Sequence, residues 1–358
     1  MKKSNGIFYT CFFLLVAMIS GCQSNPAGPS GSTPGAPTGV YVVNEGNYQR
    51  ANSSLTFYMP DSNKAYQNVF TLANGRDLGD TGNDIEIFGS KAFIVVSGSQ
   101  KVEVISTADH KSVGTFQISG QRTPYDIVIL SDAKAYVTNL MDSSVTAFNP
   151  STLQVVYDRI KVGANPQGIA SANGKIYVCN SGFGYDNTVT VLNAGTGTLI
   201  KTISLEASPS EVGVGPNNEV VVKCDGRSDY GNPNNDTPGS ISVINSDNDV
   251  VVIKAILPLA TYGHPGKMAV GMKGFGYFVG KTGIIRFSFT GSTLSVEGTP
   301  FSTMQAYSLT LDNATDRLFA TDAKDYVQLG EVAVLDSQGK ELKRFTAGII
   351  PGAIAFKQ

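Results

Sequence analysis

Three carboxylates and one ammonium recur at matched places along this chain. Asp84 sits in G-N-D-I, Asp126 in P-Y-D-I, Glu211 in P-S-E-V and Lys267 in P-G-K-M. Each stands one residue before an apolar anchor: Ile85, Ile127, Val212 and Met268. Brought to one point, such groups could exchange protons or hold a polar solute. The same placement equally suits carboxylates that tie neighbouring units of a repeat together. One step earlier stand Asn83, Tyr125 and Tyr307. A tyrosine there offers an apolar body with a hydrogen-bonding tip. What these side chains can do depends on the elements that gather them.

Those elements are written as a repeat. K-A-Y-V-T-N (134–139) returns as K-I-Y-V-C-N (175–180). The anchors Ile85, Ile127, Ile169, Val212, Met268, Leu309 and Ile354 are separated by 42, 42, 43, 56, 41 and 45 residues. Such a period marks a repeat architecture. Each unit reads as four short strands with two-residue alternation, punctuated by Gly, Asn, Asp and Pro. No helical periodicity is present. Four antiparallel strands per unit of this length predict an all-β, seven-bladed β-propeller over residues 39–358. The last unit (351–358) holds only a first strand. The first unit, with G-V-Y-V-V-N, S-L-T-F-Y and Q-N-V-F-T, lacks one. The C-terminal strand is therefore expected to complete the N-terminal blade and close the ring, leaving no free edge.

Tyr136-Val137-Thr138-Asn139 resembles the signature of the YVTN β-propeller repeat family. Asn44-Glu45-Gly46-Asn47, L-G-D-T-G-N-D (78–84) and K-V-E-V (101–104) resemble a narrower group of extracytoplasmic propeller lipoproteins that includes a cobalamin-binding protein. The resemblance implies solute capture for an outer-membrane, TonB-type transporter.

In such a blade the turns joining strands one to two and three to four are short and share one face. The opposite face carries longer loops, and long loops on a rigid scaffold are where function concentrates. Residues 44–52, 180–187, 224–239, 260–265 and 321–328 fall there. Candidate ligand contacts are Asn44, Glu45, Asn47, Tyr48, Arg50, Asp84, Arg122, Tyr125, Asp126, Tyr185, Arg227, Tyr230, His264, Tyr307 and Asp322. Asn44, Asn139, Asn180 and Asp322 end second strands, either as turn-bracing side chains or as a polar collar. The fourth interval is the longest, and its excess lies at 225–239. That loop could cover a ligand at the axis or be a tolerated insertion. Its oxygen-rich side chains suggest calcium, although the spacing matches no EF-hand.

The N-terminus carries a different message. Met1-Lys2-Lys3, an apolar run to Ile19 and Ser20-Gly21-Cys22 predict a signal peptide over residues 1–21. Small residues before the cysteine resemble the bacterial lipobox, which implies lipidation of Cys22. The Pro/Gly/Ser-rich stretch to residue 38 reads as a tether. Gln23 after the lipid cysteine points to the outer membrane, with the leaflet left open.

Absences narrow the chemistry. His110 and His264, the two histidines, have no metal-spaced partner. No haem-attachment motif, nucleophile elbow or phosphate loop is present. Trp is absent, against WD40 blades and quinoprotein docking repeats. A lactone-hydrolysing constellation is not identifiable, so binding is expected rather than catalysis, with no cofactor. A protein scaffold of the envelope and a lactonase-type hydrolase are the alternatives. Net charge is −2 with no basic block, so nucleic acid is not an expected partner. Cys179 and Cys224 end second strands of consecutive units, one residue out of register. A disulfide and two buried thiols both fit that placement.

Overall fold

The computed structural model describes residues 38–120 and 122–358. The expected signal peptide, Cys22 and the tether up to residue 37 lie outside them. Seven four-stranded antiparallel sheets form a seven-bladed propeller. Blades 1 to 6 span 82–117, 124–161, 166–204, 209–257, 268–296 and 309–346. Blade 7 joins Pro351–Lys357 to Gly39–Asn44, Ser54–Met59 and Lys64–Tyr66. The C-terminal strand supplies its innermost position, with Tyr41 opposite Ala355 and Val42 opposite Ile354. No helix among the described residues is long and apolar enough to cross a membrane.

Burial explains why the strands read as they do. Second strands such as Lys91–Val96, Lys134–Asn139 and Lys175–Asn180 are buried after their first residue. Blades flank both faces of each sheet, so these strands are apolar runs instead of clean alternations. Outermost strands such as Gln154–Lys161 are mostly exposed. Between blades the cores interlock through rings: Phe116 stacks on Phe148 at 4.3 Å and Tyr58 on Phe345 at 3.9 Å. Each fully buried ring contributes about 2–3 kcal/mol from its apolar area.

One sequence expectation fails here, and one open alternative is resolved. Q-N-V-F-T is not a strand. The outer strand of blade 7 is Lys64–Tyr66, and a helix, Val69–Asn74, follows. Asn68 (φ 55°) turns the chain before the helix and Gly75 (φ 65°) ends it. Val69 and Phe70 pack into the seam between blades 7 and 1. A second helix, Leu259–Tyr262, links blades 4 and 5. Helices this short show no periodicity in sequence. The disulfide alternative also goes: Cys179 and Cys224 are free, buried thiols in one apolar cluster between blades 3 and 4. Burial pushes the Cys179 thiol up and the Cys224 thiol up to about 12, so both stay protonated and inert.

Candidate functional site

The innermost strands deliver the repeated row to the axis. Asp84, Asp126, Gly168, Glu211, Lys267, Ser308 and Ala353 all line one cavity of about 210 Å³. Asn83, Tyr125 and Gly352 stand with them, one residue nearer the long-loop face.

The acids are not idle. Asp84 accepts the amide of Ile127 at 3.2 Å, and Asp126 accepts the amide of Ile169 at 3.0 Å. Each carboxylate thus clasps the next innermost strand, the blade-tying role that the sequence left open. Below Asp84, Glu86 repeats the clasp on Ile129 at 2.8 Å. Burial raises Asp84, and burial with the neighbouring Asp84 charge raises Asp126 well above the usual carboxylate range, so the two titrate together. Burial, then the neighbouring Asp84 charge, pushes Glu86 up to about 8. Burial would depress the Lys267 ammonium, but Glu211 at 2.9 Å, Tyr125 and Asp126 overturn that and hold it well above its usual range. Lys267 also lies 5.4 Å from the centre of the Tyr125 ring. Opposite, Tyr307 donates to Glu45 at 2.9 Å, and burial raises both groups. Among the described residues, no group of three or more His, Cys, Asp or Glu side chains converges as for a metal ion.

Beside the axis, on the long-loop face, lies a larger cleft of about 470 Å³. Blades 7, 1 and 2 wall it with Tyr48 and Gln49, with Asp80, Ser97 and Gly98, and with Tyr125, Leu140 and Met141. Asn83 and Tyr125 belong to both cavities and join them. The carbonyl oxygen of the Asn83 side chain is buried without a hydrogen-bond partner. Asp80 braces the cleft wall, accepting the Gln49 amide at 3.1 Å and the Ala51 amide at 3.3 Å.

The structure therefore gathers Glu45, Tyr48, Asp84, Tyr125, Asp126 and Tyr307 at the mouth and cleft. It does not gather the others. Arg122 is a correction: it is 2% exposed, pinned to Asp158 at 2.5 Å, to Thr146 and to the Ser119 carbonyl. An outer-strand acid and a third-strand hydroxyl reach inward to bury it. Asn44 is also structural, donating to Ser54 and Thr56 and accepting the Gly348 amide at 2.8 Å. Asn139 and Asn180 also donate to paired third-strand hydroxyls, while their side-chain oxygens are buried without a partner, as that of Asn83 is. Among the described residues these side chains serve their own blades and form no polar collar. Asp322 caps its own turn at the Lys324 amide. Asn47 braces the neighbouring loop through the Tyr326 carbonyl, and Arg50 projects outward, exposed.

The long loop does not cover the axis. Arg227 stacks on Tyr185, 4.6 Å from ring centre to guanidinium, and donates to its hydroxyl at 3.3 Å. His264 holds the other side between the Asp225 carbonyl and Asp236. Tyr230 projects into solvent at 98% exposure. Asp229 is occupied by the Gly231 and Asn232 amides and by Asn235. Calcium therefore meets a carboxylate already filled by its own loop.

Sequence reasoning missed Glu86, which has no counterpart in other blades, and the cleft residues Gln49, Asp80, Ser97 and Met141. Their proximity comes from the packing of consecutive blades 7, 1 and 2 and not from a repeated spacing. Glu211 and Lys267 stood in the aligned row but were not taken as ligand contacts.

Known structures share the architecture. A quinonprotein alcohol dehydrogenase-like protein from Bacteroides thetaiotaomicron is 17% identical, with TM-score 0.67, over 90% of this chain and 79% of that chain. A functionally unknown protein from Desulfotomaculum acetoxidans is 17% identical, with TM-score 0.66, over 90% of this chain and 99% of that chain. Virginiamycin B lyase from Staphylococcus aureus is 10% identical, with TM-score 0.56, over 79% and 91%. At such identities the likeness is one of fold alone. No curated protein matches. The family described as "Domain of unknown function (DUF5074)" matches residues 38–226, just over half of the chain, and the chain belongs to that family.

Proposed function

We propose that this propeller is a lipid-anchored protein of the cell envelope that captures a bulky polar solute on its long-loop face, without turning it over. The observation that carries the reading is the cleft of about 470 Å³ joined to the axial mouth through Asn83 and Tyr125. Its volume falls in the range of small-molecule sites. Tyr48 and Tyr125 offer flat apolar faces with polar tips. Asn83 offers a carbonyl oxygen that nothing in the protein satisfies, and a ligand donor there would remove the cost of leaving it unpaired.

Binding without catalysis is supported by the acids themselves. Asp84 and Asp126 already serve backbone amides, which leaves little freedom for proton transfer to a substrate. The cobalamin-like version of the proposal rests on the N-terminal blade strings, with a TonB-type transporter as recipient. In a cleft of about 470 Å³ such a ligand would lie across the mouth and insert one edge.

A thermal-shift panel of corrinoids, siderophores and glycans against the full chain tests this. A true ligand at a hundredfold its Kd adds about 2.7 kcal/mol of stability. The melting temperature should rise by several degrees, and Tyr125→Ala should abolish the rise. A panel in which no solute shifts the wild-type protein would sink the proposal.

A further inference from the structure

The long-loop face carries a second set of side chains that the solute cleft does not use. Phe183, Tyr185, Tyr230, Tyr326, Val327 and Leu329 are all more than half exposed, on loops of blades 3, 4 and 6. Apolar side chains gathered this way on one face mark an interaction surface. Two of them are held outward at a cost. Phe183 (φ 50°) and Tyr326 (φ 64°) occupy the left-handed region, which bulky residues avoid and which functional sites tolerate. The loops are also braced. Arg227 backs the Tyr185 ring, and Tyr326 meets Tyr307 edge-on with ring centres 5.9 Å apart. A braced aromatic crest loses little conformational freedom when it docks.

The charge around these crests selects the partner. Around the crests of blades 3, 4 and 6 acidic side chains outnumber basic ones: Asp186, Glu206, Asp225, Asp229, Asp236, Asp322 and Asp325 stand against Arg227, Lys267, Lys281 and Lys324. Anionic lipid headgroups and a second copy of this face would both be repelled. We infer that the long-loop face docks a protein partner whose contact surface is basic and apolar, through the aromatic crests of blades 3, 4 and 6. The crests supply desolvated anchors and the surrounding aspartates supply steering and register. This goes beyond solute capture and uses different residues, so either activity can fail while the other stands.

The test uses the full chain in detergent and two labelled amphipathic peptides, one of leucine and lysine, the other of leucine and glutamate. The lysine peptide should bind, the glutamate peptide about tenfold or more weaker, and added salt should weaken the complex. The triple variant Tyr185→Ala/Tyr230→Ala/Tyr326→Ala removes exposed rings and no charge. It should cut lysine-peptide binding by about tenfold or more with the melting temperature unchanged. Equal binding of both peptides would overturn the proposal. So would wild-type affinity in the triple variant, which would mean simple attraction to an acidic protein. Binding to phosphatidylglycerol vesicles in place of peptide would overturn it in favour of a membrane surface.

Discussion

Blades 1 and 2 and blades 5 and 6 present the same repeat row to the axis and use it differently. In the first pair the row is Asp84 and Asp126, and each reaches across to the next strand's amide. Their innermost strands, Gly82–Phe88 and Pro124–Ser131, are long. In the second pair the row is Lys267 and Ser308, beside innermost strands shortened to Met268–Val270 and Leu309–Asp312. An apolar seam, in which Tyr277 packs on Phe301 at 4.8 Å, joins those blades just as Phe116 and Phe148 join blades 1 and 2; the carboxylate clasps are what the first pair adds. One position in the repeat is thus structural on one side of the channel. On the other, in the same cavity, it turns Lys267 toward Glu211 and Tyr125. A polar residue at the axis cannot be assigned to recognition from its register alone.

The strongest way to break this picture is to open the ring. Deleting residues 351–358 removes the innermost strand of blade 7. The expected outcome is loss of cooperative unfolding and exposure of apolar blade faces, read by denaturant melts and dye binding. A truncated chain that melts like the full one would contradict closure.

Arg122→Ala comes next. It strips a buried guanidinium of its bonds to Asp158, Thr146 and the Ser119 carbonyl. A loss of about 3 kcal/mol is expected in urea unfolding, with solute binding unchanged. Asp126→Ala should follow, at about 2 kcal/mol, because the Ile169 amide loses its acceptor. Ser308→Ala, in the matching row of blade 6, should stay within about 0.5 kcal/mol. Equal effects at the two positions would erase the contrast between the two sides.

A pH slope tests the same side of the channel without a change of packing. Glu86 titrates at about 8 in the fold against an ordinary value of 4.5. The folded state therefore holds a proton that the unfolded state has lost between those values. Stability should fall as pH rises through that window and level off above it. The raised Asp84 and Asp126 act with the same sign. Glu86→Gln should flatten the slope of the urea midpoint between pH 5 and pH 8. An unchanged slope would remove Glu86 as its source.

The fold was legible because a strict period leaves a mark that no single strand carries. The row Asp84, Asp126, Glu211 and Lys267 could be placed at the axis from register alone, and it lines the cavity. What register could not give was the partner of each side chain. Arg122 reads as a loop charge beside Pro124, yet Asp158 lies on an outer strand of the same blade and folds back over it. Asn44, Asn139 and Asn180 look like a collar until the hydroxyls of the third strand are seen to occupy them. The cleft was invisible because its walls come from dissimilar loops of three consecutive blades, which carry no shared motif.

The most direct test of solute capture is a calorimetric titration of cyanocobalamin into the full chain and into two variants, Tyr125→Ala and Tyr185→Ala. Saturable binding to the wild-type protein and to Tyr185→Ala, with affinity reduced about tenfold or more in Tyr125→Ala, would place the solute where the cleft meets the axis. Heat that does not saturate in any of the three, or binding indifferent to Tyr125, would contradict it.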